Sequence, residues 1–181
     1  IKIFEKLNRK YNTLKIINIL PNGGSYNARS EGVKESNGDI LAFLDAGVFL
    51  EKGWYNEMVS NIEEYDYLAG NVEVPIKWAK NSSEIYNSQK SFPVNKYIEN
   101  HHFGVTANLV IKKNVIESVG LFDKRLRSGG DMEFGRRVYD AGYKQVFLKN
   151  MKVLHEPRNL EEMKRKTLRV QQGVYDLIKY Y

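Results

Sequence analysis

No cysteine occurs in this chain of 181 residues. A disulfide framework, a thiolate metal site and a thiol nucleophile are therefore excluded, and the composition suits a reducing compartment. No apolar run approaches the roughly 20 residues that a membrane-spanning helix requires. The first residues also lack the basic-then-apolar order of a secretory signal. The expected location is cytoplasmic, with peripheral attachment to the inner face of the membrane as the open variant. Internal repeats and linkers are missing too, so the expectation is one domain over 1–181, N-terminally incomplete, closing on an amphipathic helix at 157–181.

What is present is ordinary for a globular chain: 42% hydrophobic and 28% charged residues, enough to build a core. The net charge of +6 and a pI near 9.3 favour an anionic partner. The basic stretch MKRKTLRV lies near the C-terminus, whereas SNIEEYDY is acidic.

Helical and extended patterns alternate along the chain. IKIFEKLNRKY predicts a helix, TLKIINIL a strand, SYNARSEGVKES a helix closed by Asn37-Gly38, and DILAFLDA a buried strand. KGWYNEMVSNIEEY predicts a further helix. GNVEVPIKW alternates like a strand, placed at a sheet edge by Pro75. Residues 81–102 are polar and aromatic and predict an excursion from the sheet. FGVTANLVIKK predicts a returning strand, KNVIESVG and DMEFGRRVYDAG predict helices, and KQVFLKNMKVL one or two strands. From Glu161, a stripe including Leu160, Met163, Leu168, Val174, Leu177 and Ile178 predicts a long amphipathic helix. Such alternation predicts a three-layer α/β/α sandwich with a mixed, mainly parallel sheet.

Asp45 ends the most apolar strand. A buried carboxylate without a partner costs several kcal/mol in practice, so it requires water, hydrogen bonds or a cation. In an open α/β sheet, ligands bind beyond the carboxyl ends of the strands. Either Asp45 faces such a ligand, with Ala46-Gly47 leaving room for it, or it caps a turn. Upstream, Gly23-Gly24-Ser25 opens a helix whose free N–H groups could take an anion. Arg29, near its first turn, either shares that anion or pairs with Glu31 or Glu35. In RSGGDMEFGRR, Asp131 is either a helix cap or an exposed base, with Glu133 and Arg137 nearby. His101 and His102 read as a solvent-exposed pair. His155 follows a strand and is either structural or turned toward the crevice of Asp45.

Together these segments resemble the family 2 glycosyltransferases of the GT-A fold. SYNARSEGVKESNGDILAFLDAG is similar to the family's N-x-A-R-N-x-G segment and the strand that ends in D-x-D. TANLVIKKNVIESVGLFDKRLRSGGDMEFGRRVYDAGYK is similar to its second signature, an Asn-containing strand, a Gly-x-Phe-Asp turn and an acidic helix start with a downstream Arg.

The resemblance implies inverting transfer of a sugar from a nucleoside-diphosphate donor, UDP favoured, to an acceptor hydroxyl in polysaccharide or glycoconjugate synthesis. By position it makes Asp131 the catalytic base and assigns Asn27, Arg29, Asp45, Asn108 and Arg137 to the donor. It gives Asp45 and His155 to a divalent metal, Mn²⁺ or Mg²⁺. A carbohydrate or lipid-linked acceptor follows, with no nucleic acid, and the C-terminal helix is left for membrane contact or homo-oligomer formation. This chain departs from the pattern in four places. Gly47 stands where D-x-D has its second acid, Gly130 where the base has an acidic neighbour, Ser30 where Asn is frequent, and the usual N-terminal strand, helix and strand are missing. The alternative is a GT-A-like binding or regulatory domain with impaired catalysis. A nucleic-acid module is a third class, for which no recognition motif is present.

Overall fold

The computed structural model describes residues 14–20, 23–90 and 92–181. The predicted first helix, at 1–11, lies outside them. Helix α1 spans Gly24–Glu35, followed by strands β1, Ile40–Leu44, and β2, Val48–Leu50. Helix α2 covers Trp54–Asn61 and strand β3 Tyr67–Glu73. After a 3-10 turn at Ile76–Trp78 come helices α3, Ser82–Lys90, and α4, Val94–His101. Strand β4, Asn108–Lys112, leads directly into helix α5, Lys113–Val119. Helix α6 spans Gly130–Asp140, strand β5 Gln145–His155 and helix α7 Leu160–Tyr180.

The sheet order is β1-β4-β3-β5-β2. Strands β1, β3 and β5 share one direction, but β4 runs against both neighbours and β2 runs against β5. The sheet is mixed, as expected, although β3–β5 is the one parallel pairing among the described strands. The expected parallel predominance therefore holds for strand direction and not for pairing, because β4 inserts between β1 and β3.

Alternation along the strands sorts the two faces. Leu41 and Phe43 of β1, Tyr67 and Ala69 of β3 and Leu109 of β4 share one face through the strand register. That face packs on α1 and α6 through Phe122, which meets Phe43 edge-on at 5.4 Å, Phe134 at 4.3 Å and Tyr26 at 6.2 Å. Leu68 and Asn108 point the other way, where Asn108 meets Trp54 of α2. Helices on both faces make the three-layer α/β/α arrangement.

Several expectations change. Residues 14–20 form no strand, and Leu20 is 91% exposed. A strand needs a partner ladder, and β1 pairs only with β4 among the described residues. Strand β1 is buried on one face alone, since Ile40, Ala42 and Leu44 are exposed. Pro75 falls beyond the end of β3, so its missing N–H leaves that strand free to lie centrally between β4 and β5. The excursion at 81–102 is helical. Helix α7 begins at Leu160, behind an Asn159–Glu162 capping box. Its contact with the domain runs through Gly173 against Ser128, Leu177 against Gly129 and Asp176 against Arg127. Leu160, Leu168, Val174 and Ile178 of the expected stripe face outward.

Candidate active site

Three elements bring Arg29, Asp45 and Asp131 together. Arg29 stands on α1, Asp45 follows β1, and Asp131 opens α6 after Gly129, whose φ of +82° suits glycine. Arg29 Nη2 lies 3.2 Å from Asp45 Oδ1, and Arg29 Nη1 4.0 Å from Asp131 Oδ1. One guanidinium thus bridges two carboxylates that came from different motifs. It is paired with neither Glu31 nor Glu35, which hold Lys34 and Lys15.

Asp131 also accepts from the Thr106 hydroxyl at 3.1 Å and its backbone N–H at 3.5 Å. Burial pushes the Asp131 carboxyl above its ordinary pKa. Arg29 and Thr106 oppose that push, and Asp45 adds to it. The carboxylate is consequently a better proton acceptor than a solvated aspartate.

Tyr26 fixes the same helix start. Its hydroxyl accepts from the Gly130 N–H at 3.0 Å, and the Arg29 guanidinium sits 5.4 Å from its ring centre. Burial, reinforced by Asp131, raises the Tyr26 phenol to about 12. A Cβ on Gly130 would fall 2.7 Å from Tyr26 Cζ. The ring therefore fills the space that an acidic neighbour of Asp131 would need.

Gly47 has a physical reason as well. The chain reverses after Asp45, Val48 N–H reaching the Asp45 carbonyl at 3.4 Å, and Gly47 takes φ +83°. An aspartate there would be strained. The reversal pairs Val48 with His155, which brings His155 to the Asp45 turn.

Three expected donor residues sit elsewhere. Asn108 is fully buried. Its amide donates to the Asn71 and Met151 carbonyls at 3.0 and 2.7 Å and accepts from Trp54 Nε1 at 2.8 Å. It fastens the β3–β5 bulge between Gly70 and Asn71 and leaves no amide group facing a ligand. Arg137 donates to the Val119, Gly120 and Leu121 carbonyls and pairs with Glu133, capping the end of α5. Asn27 lines a separate recess of about 660 Å³ with Leu20, Glu31, Lys124 and Arg125.

His155 Nδ1 lies 2.6 Å from the Glu156 carbonyl, and its Nε2 3.3 Å from Arg158 Nη2. Both expected metal ligands thus face a guanidinium, Asp45 that of Arg29 and His155 that of Arg158. Among the described residues no three His, Asp or Glu side chains converge on a common point. This donor set does not fit a divalent ion held by the protein.

Tyr26, Thr106 and Arg158 are site residues that the sequence reading missed. Tyr26 directly precedes the N-x-A-R segment and Thr106 opens TANLV, but their contacts reach residues 130 and 131. Arg158 follows the expected His155 by three positions, so the turn after β5 held the signal.

The family model for Glycosyl transferase family 2 matches residues 2–120. Glycosyltransferase AglE of Haloferax volcanii is 33% identical over 174 residues, spanning 95% of this chain and 57% of the relative. The chain thus covers little more than half of that protein. Two solved structures share the fold. The mannosyltransferase PcManGT from Pyrobaculum calidifontis, in complex with GDP-Man and Mn²⁺, superposes with TM-score 0.69 at 12% identity over 98% of this chain and 50% of its own. GalNAc-T7 with UDP, GalNAc and Mn²⁺ gives TM-score 0.67 at 19% identity over 88% and 35%. With most of its length inside the family model and a relative 33% identical over 95% of it, the chain belongs to glycosyl transferase family 2.

Proposed function

We propose that this chain is one GT-A domain that transfers a sugar, with inversion, from a nucleoside-diphosphate sugar, UDP favoured, to an acceptor hydroxyl in polysaccharide or glycoconjugate synthesis. The observation that carries the reading is Asp131, desolvated and held by Thr106 beside the Arg29–Asp45 pair. Its carboxylate takes the acceptor's proton while the acceptor oxygen attacks the anomeric carbon. The bond from that carbon to the diphosphate oxygen breaks, and its electron pair leaves with the nucleotide. Arg29 keeps Asp131 ionised and places positive charge beside the donor. The complexes of similar structures, with UDP in GalNAc-T7 and GDP-Man in PcManGT, support a nucleotide-linked donor and motivate testing both bases.

No helix among the described residues is long and apolar enough to cross a membrane. The outward Leu168, Val174 and Ile178 of α7, with Lys164 and Arg165, support peripheral contact with an anionic membrane carrying a lipid-linked acceptor. Calorimetric titration of UDP-sugars and GDP-sugars against the chain and its Arg29→Ala variant tests the donor assignment. The expected result is UDP-sugar binding weakened roughly tenfold or more in the variant, the worth of a charge-assisted contact. Selective GDP-sugar binding would overturn the base, and absence of both binding and turnover would overturn the function.

A further inference from the structure

Cations gather around Phe92 at the base of α7. The Arg158 guanidinium carbon lies 5.4 Å from the Phe92 ring centre, and Lys166 Nζ lies 5.1 Å from the same point. Arg158 Nη1 is buried and has no hydrogen-bond partner among the described residues. Lys166 feels the like charges of Arg158 and Arg169, and Arg158 that of Arg169. The acids in range of Arg158 are Asp45, which Arg29 already holds, and Glu162, which closes the capping box of α7. Phe92 itself takes φ +53°, a conformation that costs a bulky side chain energy and therefore needs a reason.

Partly buried cations around one ring, with a guanidinium nitrogen unmatched, are complementary to a polyanion. They lie on the Asp45 side of the site, where both expected metal ligands face guanidinium groups. We propose that Arg158 and Lys166, with Phe92 as their platform and the exposed Arg169 as a further positive charge beside them, form a cradle built by the protein that neutralises the leaving diphosphate, the task a divalent ion performs where D-x-D is complete. The inference rests on the nucleotide-sugar reading above. As the anomeric C–O bond breaks, the electron pair moves to the diphosphate oxygen, and the cradle balances its charge while Asp131 keeps the acceptor's proton.

The test is calorimetric titration of inorganic pyrophosphate and of UDP into the chain in EDTA, compared with Arg158→Gln, Lys166→Gln and the control Lys179→Gln. Thermal melts verify that each variant is folded. Both probes are expected to bind without metal and compete with each other. Arg158→Gln and Lys166→Gln should each weaken binding roughly tenfold, as loss of a charge-assisted contact does, with Lys179→Gln unchanged. Binding that requires Mn²⁺, or that ignores Arg158→Gln and Lys166→Gln, overturns the cradle. Pyrophosphate binding displaced by a polyprenyl phosphate but not by UDP overturns its assignment to the donor, because the anion would then be the acceptor's. Sugar transfer from a UDP-sugar is measured in parallel with Mn²⁺. Transfer without metal-free pyrophosphate binding would sink the cradle alone, whereas Lys166-dependent pyrophosphate binding without transfer from any nucleotide sugar would sink the transferase reading.

Discussion

Gly130→Ala isolates the contact that holds the start of α6, the helix that carries Asp131, in place. The new methyl would sit 2.7 to 2.9 Å from three atoms of the Tyr26 ring. That ring is only 7% exposed and lies between Phe122 and Arg29, so it has little room to withdraw. Overpacking of this kind costs about 1–3 kcal/mol. Pushing Tyr26 aside also breaks its hydrogen bond with Gly130 N–H, worth about 1 kcal/mol net. Alanine's better helix propensity returns at most about 1 kcal/mol, so the clash wins. A net loss of roughly 1–3 kcal/mol would lower the melting temperature by about 2–12 °C in a chain of this size. Urea denaturation of Gly130→Ala, Tyr26→Ala and the double variant measures it. In the Tyr26→Ala background the alanine at 130 should be nearly neutral, giving a coupling of about 1–3 kcal/mol. Additive losses, or a neutral Gly130→Ala in the native background, would refute the reasoning.

Other predictions concern the same architecture. Asn108→Ala leaves the Met151 and Asn71 carbonyls and the Trp54 N–H without their partner, so urea titration should find a loss of about 2–5 kcal/mol. Arg137→Ala uncaps α5 and should lower the melting temperature while UDP-sugar affinity, read by calorimetry, stays unchanged. Arg127 donates to Asp176 through its backbone and side chain and depresses that carboxyl to about 2. Because the folded pKa lies below the unfolded value of about 3.9, the contribution is complete above that value. It fades as pH falls through the folded pKa, and Arg127→Gln should flatten the acid limb of a stability-versus-pH curve.

The sequence made Arg29, Asp45 and Asp131 legible because each sits in a motif whose spacing to a strand end or helix start is local. It did not reveal that one guanidinium would join the two carboxylates, since that depends on packing α1 against α6 through Phe122. Asn108 and Arg137 show the opposite failure. Their positions in a motif were plain, but the direction of the Asn108 amide is set by a bulge at Gly70 and by Met151, far along the chain. Arg137 is claimed by carbonyls at the end of α5. The amphipathic period of α7 was readable, yet it did not reveal that Gly173 and Asp176, with Leu177 alone of the leucines, make the contact with the domain. Pro75 was misleading for a local reason: the strand ends at Glu73, before its ring matters.

The most direct test of the central claim is the pH profile of sugar transfer by the native chain and by Asp131→Asn, with donor affinity measured alongside. The account predicts that native turnover rises with pH through a midpoint above the ordinary aspartate range, because burial raises the Asp131 carboxyl. Asp131→Asn should lose about 10²- to 10⁴-fold in kcat and the associated pH limb while still binding the donor. Transfer by Asp131→Asn at the native rate and with the native pH profile would contradict it.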